Sequence, residues 1–84
     1  MEDLLVKVHI RYFAVLRDRS GISEETIEVK FRSVRELIDE LIVSRSLGLP
    51  SSLIRIALNG SFVDDQTLVK DGDEITLIPP VSGG

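Results

Sequence analysis

Cysteine is missing altogether and histidine occurs once in this chain of 84 residues. Without cysteine there is no disulfide framework, no thiolate metal site and no cysteine nucleophile. With a single histidine, a multi-histidine metal site is excluded as well. No apolar run approaches the length of a membrane span, and the opening "MEDLLVKV" has neither the basic start nor the long apolar stretch of a signal peptide. Basic residues are few: 10 Lys and Arg stand against 14 Asp and Glu, a net charge of −4. A nucleic-acid binder would need a clustered basic face, and a nucleotide cradle would need a glycine-rich loop between strand and helix, which is absent. The expectation is a soluble, cytoplasmic protein with no nucleic-acid and no membrane partner, whose acidity suits partners with basic surfaces.

What is present is enough for one domain. Apolar residues make up 43% of the chain, and the length corresponds to a single unit, residues 1–84, without linker or repeat. In "LLVKVHIRYF" the residues Val6, Val8, Ile10 and Tyr12 alternate with Lys7, His9, Arg11 and Phe13, the period of a half-buried strand. "EETIEVKF" repeats the pattern with Ile27, Val29 and Phe31 inward, and "RDRSGISE" between them reads as a polar connection. Ser33 followed by Glu36 forms a capping box. It opens a helix whose apolar stripe is Val34, Leu37, Ile38, Leu41 and Ile42, with Gly48 and Pro50 ending it or closing the turn beyond. "LIRIALNGSFVDD" is a strand, an Asn59-Gly60 turn and a short second strand. "KDGDEITLIPP" is a turn at Gly72 and a last strand with Ile75 and Leu77 on one face. One amphipathic helix covers only one face of such a sheet, so the fold class is α+β, a two-layer sandwich with a mixed sheet of four to five strands.

Side chains suited to catalysis are scarce. His9 sits mid-strand between Lys7 and Arg11, the setting of an exposed strand histidine. Asp64-Asp65 and Asp71-Gly72-Asp73 lack the spaced ligands and closing Glu of a calcium loop, and turn chemistry accounts for both, so no metal site is assigned. The terminus "PPVSGG" stands out. Pro79 and Pro80 cannot donate backbone hydrogen bonds, so they end the last strand and send the chain off in extended form. The stretch 79–84 reads as a flexible tail with a reach of roughly 20 Å. Gly83 and Gly84 have no side chain, so another protein's backbone can close around them. On composition alone an idle end and a working end are equally admissible. Strand parity also leaves Phe13 and Ile78 facing away from the helix and Phe62 without a place in the core, three apolar residues that would form a docking patch if they are neighbours.

Taken together, "RYFAVLRDRSG", the capped helix, "ALNGSFV", "DGDEI" and the closing "PPVSGG" resemble the ubiquitin-like β-grasp sulfur carriers, the family that includes the small subunit of molybdopterin synthase. The resemblance spans nearly the whole chain. It implies that the first and last strands lie parallel at the sheet centre, with Phe13 and Ile78 flanking the tail. It implies that the carboxylate of Gly84 is adenylated at the expense of ATP by a ubiquitin-activating-like adenylyltransferase and converted to a thiocarboxylate. Gly83 would let the tail enter a channel in the large synthase subunit, where sulfur passes to cyclic pyranopterin monophosphate on the way to the molybdenum or tungsten cofactor. Phe13, Phe62, Ile78, Pro79, Pro80, Val81 and Ser82 would meet that partner, in an assembly of two small and two large subunits. Such a chain holds no permanent cofactor and is a cosubstrate, the active site lying on the large subunit. The same ending serves ubiquitin-like modifiers of the archaeal kind, which would attach Gly84 to lysines, and thiamine-type sulfur carriers; a plain adaptor domain needs no tail chemistry at all.

Overall fold

The computed structural model describes residues 5–30 and 32–80. The first alternating segment becomes β1 (Leu5–Tyr12), with Val6, Val8, Ile10 and Tyr12 buried on one face. The polar connection expected after it contains a short helix instead, α1 (Val15–Ser20). Its anchor is Leu16, which is wholly buried. Gly21 closes the helix at φ 80, its N–H donating to the Arg17 carbonyl, a left-handed position that glycine takes without a side-chain clash. One buried leucine gives too little periodicity for a helix to be read there from sequence.

The second strand, β2 (Glu24–Lys30), turns Ile27 and Val29 toward the core; Phe31, expected beside them, lies outside the described residues. The capping box then forms as expected. The Ser33 hydroxyl accepts from the Glu36 N–H at 3.2 Å, and the Glu36 carboxylate accepts from the Ser33 N–H at 3.1 Å. It starts α2 (Val34–Ser44), whose stripe Val34, Leu37, Ile38 and Leu41 is buried, with Ile42 partly so. The helix stops before Gly48. Ser46 takes the left-handed position at φ 55, and the Leu47 N–H donates back to the Ile42 carbonyl at 3.0 Å. This six-to-one closure draws Leu47 wholly into the core, and Gly48 and Pro50 shape the turn beyond. A 3₁₀ turn over Ser51–Leu53 leads into β3 (Arg55–Leu58), then β4 (Ser61–Phe62) and, after a loop, β5 (Glu74–Ile78).

The five strands form one sheet in the order β2-β1-β5-β3-β4. β1 and β5 run parallel, pairing Ile10 with Ile75 and Tyr12 with Leu77; the other pairings are antiparallel. This is the β-grasp arrangement: α2 lies on the inner face, where Val8, Ile10, Ile56, Ile75 and Leu77 meet its stripe in one core cluster. No helix among the described residues is long and apolar enough to cross a membrane.

A polar clamp ties the two layers together. The Tyr12 hydroxyl donates to Glu25 Oε2 at 2.6 Å, and Arg45, which caps the C-terminal end of α2, donates to both Glu25 oxygens at 2.7 and 2.8 Å. Strands β1 and β2 and the end of α2 thereby share one carboxylate. The Arg45 hydrogen bonds hold the Glu25 carboxyl below its ordinary range, although partial burial pushes the other way. Burial, reinforced by the Glu25 contact, pushes the Tyr12 phenol up.

Because the folded Glu25 titrates below its unfolded value, its stabilisation is complete above the ordinary carboxylate range and fades as pH falls through the lowered value. Glu25→Gln should therefore cost about 1.5–3 kcal/mol at neutral pH, the range for hydrogen bonds to a charged group. Urea melts at neutral pH and at about pH 3 check this: the gap to the wild type should shrink in acid, and an unchanged gap would contradict the clamp.

Candidate functional site

The face of the sheet opposite α2 carries no helix among the described residues. Strand register decides what stands on it. Arg11 of β1 pairs with Thr76 of β5, Thr76 with Ala57 of β3, and Ala57 with Phe62 of β4, so these four form one row across the outer face. In the next row Ile78 pairs with Arg55. Phe13 follows β1 on the outer side of Ile78, its N–H donating to the Leu77 carbonyl at 3.3 Å. Phe13, Ile78 and Phe62 therefore share one face. Phe13 and Ile78 are adjacent at the strand ends, while Phe62 stands across β3.

Local chemistry fixes each position. Phe13 is followed by Ala14 at φ 51, ψ −126, backbone that residues with a Cβ rarely adopt, and this bend turns the chain from β1 into α1. Phe62 is placed by the Asn59-Gly60 turn, with both residues at positive φ, 51 and 89, as a two-residue hairpin of matching twist requires. That turn is fastened to the start of β5. Asn59 donates from its side chain to the buried Asp73 at 2.9 Å, accepts from the Glu74 N–H at 2.8 Å, and donates its own N–H to the Glu74 carbonyl at 2.8 Å.

The aspartates of the two acidic turns are engaged in hydrogen bonds or ion pairs of their own. Asp73 also accepts from the Lys70 N–H, Asp71 from the Lys7 N–H, and Asp64 from the Gln66 N–H. Asp65 pairs with Arg35 at 2.8 Å. His9 is held on the outer face between Thr26 at 2.8 Å and Glu24 at 2.6 Å, the place of a strand histidine engaged with its neighbours.

The patch is not purely apolar. Phe13 is 46% and Phe62 58% exposed, and Ile78 is half-buried. Arg55 lies among them, its guanidinium carbon 4.0 Å from the centre of the Phe62 ring, a cation–π stack. The sequence reading overlooked Arg55, although its parity in "RIAL" opposite the buried Ile56 was the available signal. The acidic residues of this face, Glu24, Glu28 and Glu74, lie on β2 and at the beginning of β5, away from Phe62. Pro79 is buried and Pro80 exposed, so the chain leaves the body at Pro80. Val81, Ser82, Gly83 and Gly84, expected to carry the chemistry, lie outside the described residues.

Known proteins share this architecture. The model of the ThiS family matches residues 10–84. The molybdopterin synthase sulfur carrier subunit of Drosophila melanogaster is 36% identical over 84 residues, covering 95% of this chain and 93% of that one. A chain in the protein–protein complex of subunit 1 and 2 of molybdopterin-converting factor from Helicobacter pylori superposes with a TM-score of 0.64 at 34% identity, covering 94% of this chain and 100% of that one. The small archaeal modifier protein 1 of Methanosarcina acetivorans superposes with a TM-score of 0.76 at 26% identity, covering 96% and 99%.

If the outer face is a surface and not a second core, Phe62→Ala should leave the melting temperature nearly unchanged. Leu77→Ala on the same sheet empties a wholly buried site and should cost roughly 2–5 kcal/mol. Thermal melts of the two variants side by side check the contrast; equal losses would make Phe62 part of the core.

Proposed function

The chain belongs to the ThiS family, and from that premise we propose that it is the sulfur-carrier subunit of a molybdopterin synthase. The observation that carries this reading is the similarity to the fly sulfur carrier subunit across 95% of the chain. The outer face supports it, because an apolar patch beside the exit of the last strand is what a carrier needs to seat its tail in a partner.

The proposed chemistry runs through Gly84. A carboxylate is a poor electrophile, so one of its oxygens first attacks the α-phosphorus of ATP on an activating adenylyltransferase, forming the acyl-adenylate and releasing pyrophosphate. A sulfide equivalent then attacks the acyl carbon and expels AMP, leaving a thiocarboxylate. Its sulfur is a good nucleophile at neutral pH. In the large subunit it forms a C–S bond to a side-chain carbon of the cyclic pyranopterin monophosphate as the C–O bond at that carbon breaks and its oxygen leaves. Hydrolysis of the resulting thioester returns the carboxylate and leaves the sulfur on the pterin. Two sulfurs are needed for one dithiolene, which suits an assembly of two small and two large subunits. Because Pro79 is buried and Pro80 exposed, the arm offered to the partner would begin at Pro80, and five residues reach at most roughly 17 Å when fully extended. Gly83 and Gly84 let it pass a narrow channel.

A second reading has its own observation, the fold shared with the archaeal modifier. By that reading the same adenylate would be attacked by lysine amines of target proteins.

Intact-mass spectrometry after incubation with the activating enzyme, ATP and a sulfur donor tests the proposal. The wild type should gain an oxygen-for-sulfur mass shift. A variant with one residue added after Gly84 should not, because its carboxylate overshoots by about 3.3 Å. A shift that persists in the extended variant would remove Gly84 as the sulfur site, and lysine-linked conjugates without a thiocarboxylate would favour the modifier.

A further inference from the structure

The guanidinium of Arg55 is stacked on Phe62 in the middle of the outer patch, yet among the described residues no carboxylate pairs with it. Other arginines of the chain differ. Arg11 has Glu74 at 3.9 Å, Arg35 has Asp65 at 2.8 Å, and Arg45 has Glu25. Beside Arg55 opens a groove of about 230 Å³ between α2, the 3₁₀ turn and β4, lined by Arg35, Ser51, Ser52, Arg55, Phe62 and Asp65 among others. Asp65 and Arg35 offset one another within it, so Arg55 supplies its uncompensated charge. The side-chain hydroxyls of Ser51 and Ser52 make no hydrogen bond among the described residues, and they add donors to the same groove.

A groove with a preoriented guanidinium, two free hydroxyls and an aromatic wall is complementary to a carboxylate that arrives on an apolar surface. The ring engages the guanidinium from one side, and no carboxylate among the described residues occupies its N–H groups, which are able to bind a carboxylate side by side. We infer that the partner surface covering Phe62 presents an acidic side chain to Arg55 and the Ser51-Ser52 groove, so that Arg55 sets partner specificity. This rests on the sulfur-carrier reading, and the partner is the large synthase subunit. It also reverses what net charge implies: the chain is acidic overall, but its docking centre is positive and seeks an acid.

The test is the affinity of the full chain for the large subunit, measured at low and at high salt for the wild type, Arg55→Glu, Arg55→Leu and Phe62→Ala. Arg55→Glu should weaken binding by about tenfold or more, the scale of an interface anchor. Arg55→Leu should weaken it less but flatten its salt dependence, since the charge is gone and the apolar contact is kept. All variants should melt like the wild type, because both positions are exposed. Charge reversal of the matching acid on the large subunit should restore Arg55→Glu. If the wild type binds and Phe62→Ala weakens it, but Arg55→Glu binds with unchanged affinity and salt slope, the Arg55 inference is overturned and the carrier reading stands. If the wild type does not bind the large subunit at all, the carrier reading and the inference fall together.

Discussion

The parallel pairing of β1 with β5 is the constraint on which the rest depends. Chain-distant strands meet in register from His9-Glu74 to Tyr12-Leu77, and both point their C-terminal ends the same way. That single fact sets Phe13 beside Ile78 and releases the chain at Pro80 next to them. It also requires a crossover, which α2 makes over the inner face, burying the strip from Val34 to Leu41 against both strands. A parallel central pair is buried on the side the helix covers; here the other side carries no helix among the described residues.

The local features were legible because local rules produce them. The capping box, the helical stripe, the strand alternation and the Asn59-Gly60 hairpin each follow from residues within a few positions of one another, and all four stand in the structure. Helix α1 was not legible, because one leucine in a charged segment carries no period. The end of α2 was set by the pull of Leu47 into the core more than by Gly48. The patch was half legible. Parity put Phe13 and Ile78 outward, but only strand order could bring Phe62 onto the same face, and strand order is not a local property. Arg55 follows from the same parity, opposite the buried Ile56, but a lone outward arginine on a strand carries no local signal that sets it apart from any solvated charge.

Charge shows the same division between whole and part. The excess of acid over base describes the molecule's long-range field and its solubility. It says nothing about the few square nanometres around Phe62, where register sets an arginine and keeps Glu24, Glu28 and Glu74 at a distance. The clamp of Tyr12, Glu25 and Arg45 belongs to the opposite, inner side. It stiffens the frame that carries the patch without taking part in it, so frame and outer face can be perturbed separately.

The central claim is that the helix-free face of the sheet receives the partner, which meets α2 only at its first turn, where Arg35 borders the groove beside Arg55. Amide chemical-shift mapping of the labelled chain on addition of the large synthase subunit tests this most directly. The account predicts that the perturbed amides cluster at Phe13, Arg55, Ala57, Phe62, Thr76 and Ile78, with those of the exposed side of α2, such as Asp39 and Val43, unmoved. A footprint centred on α2, with the outer face silent, would contradict it.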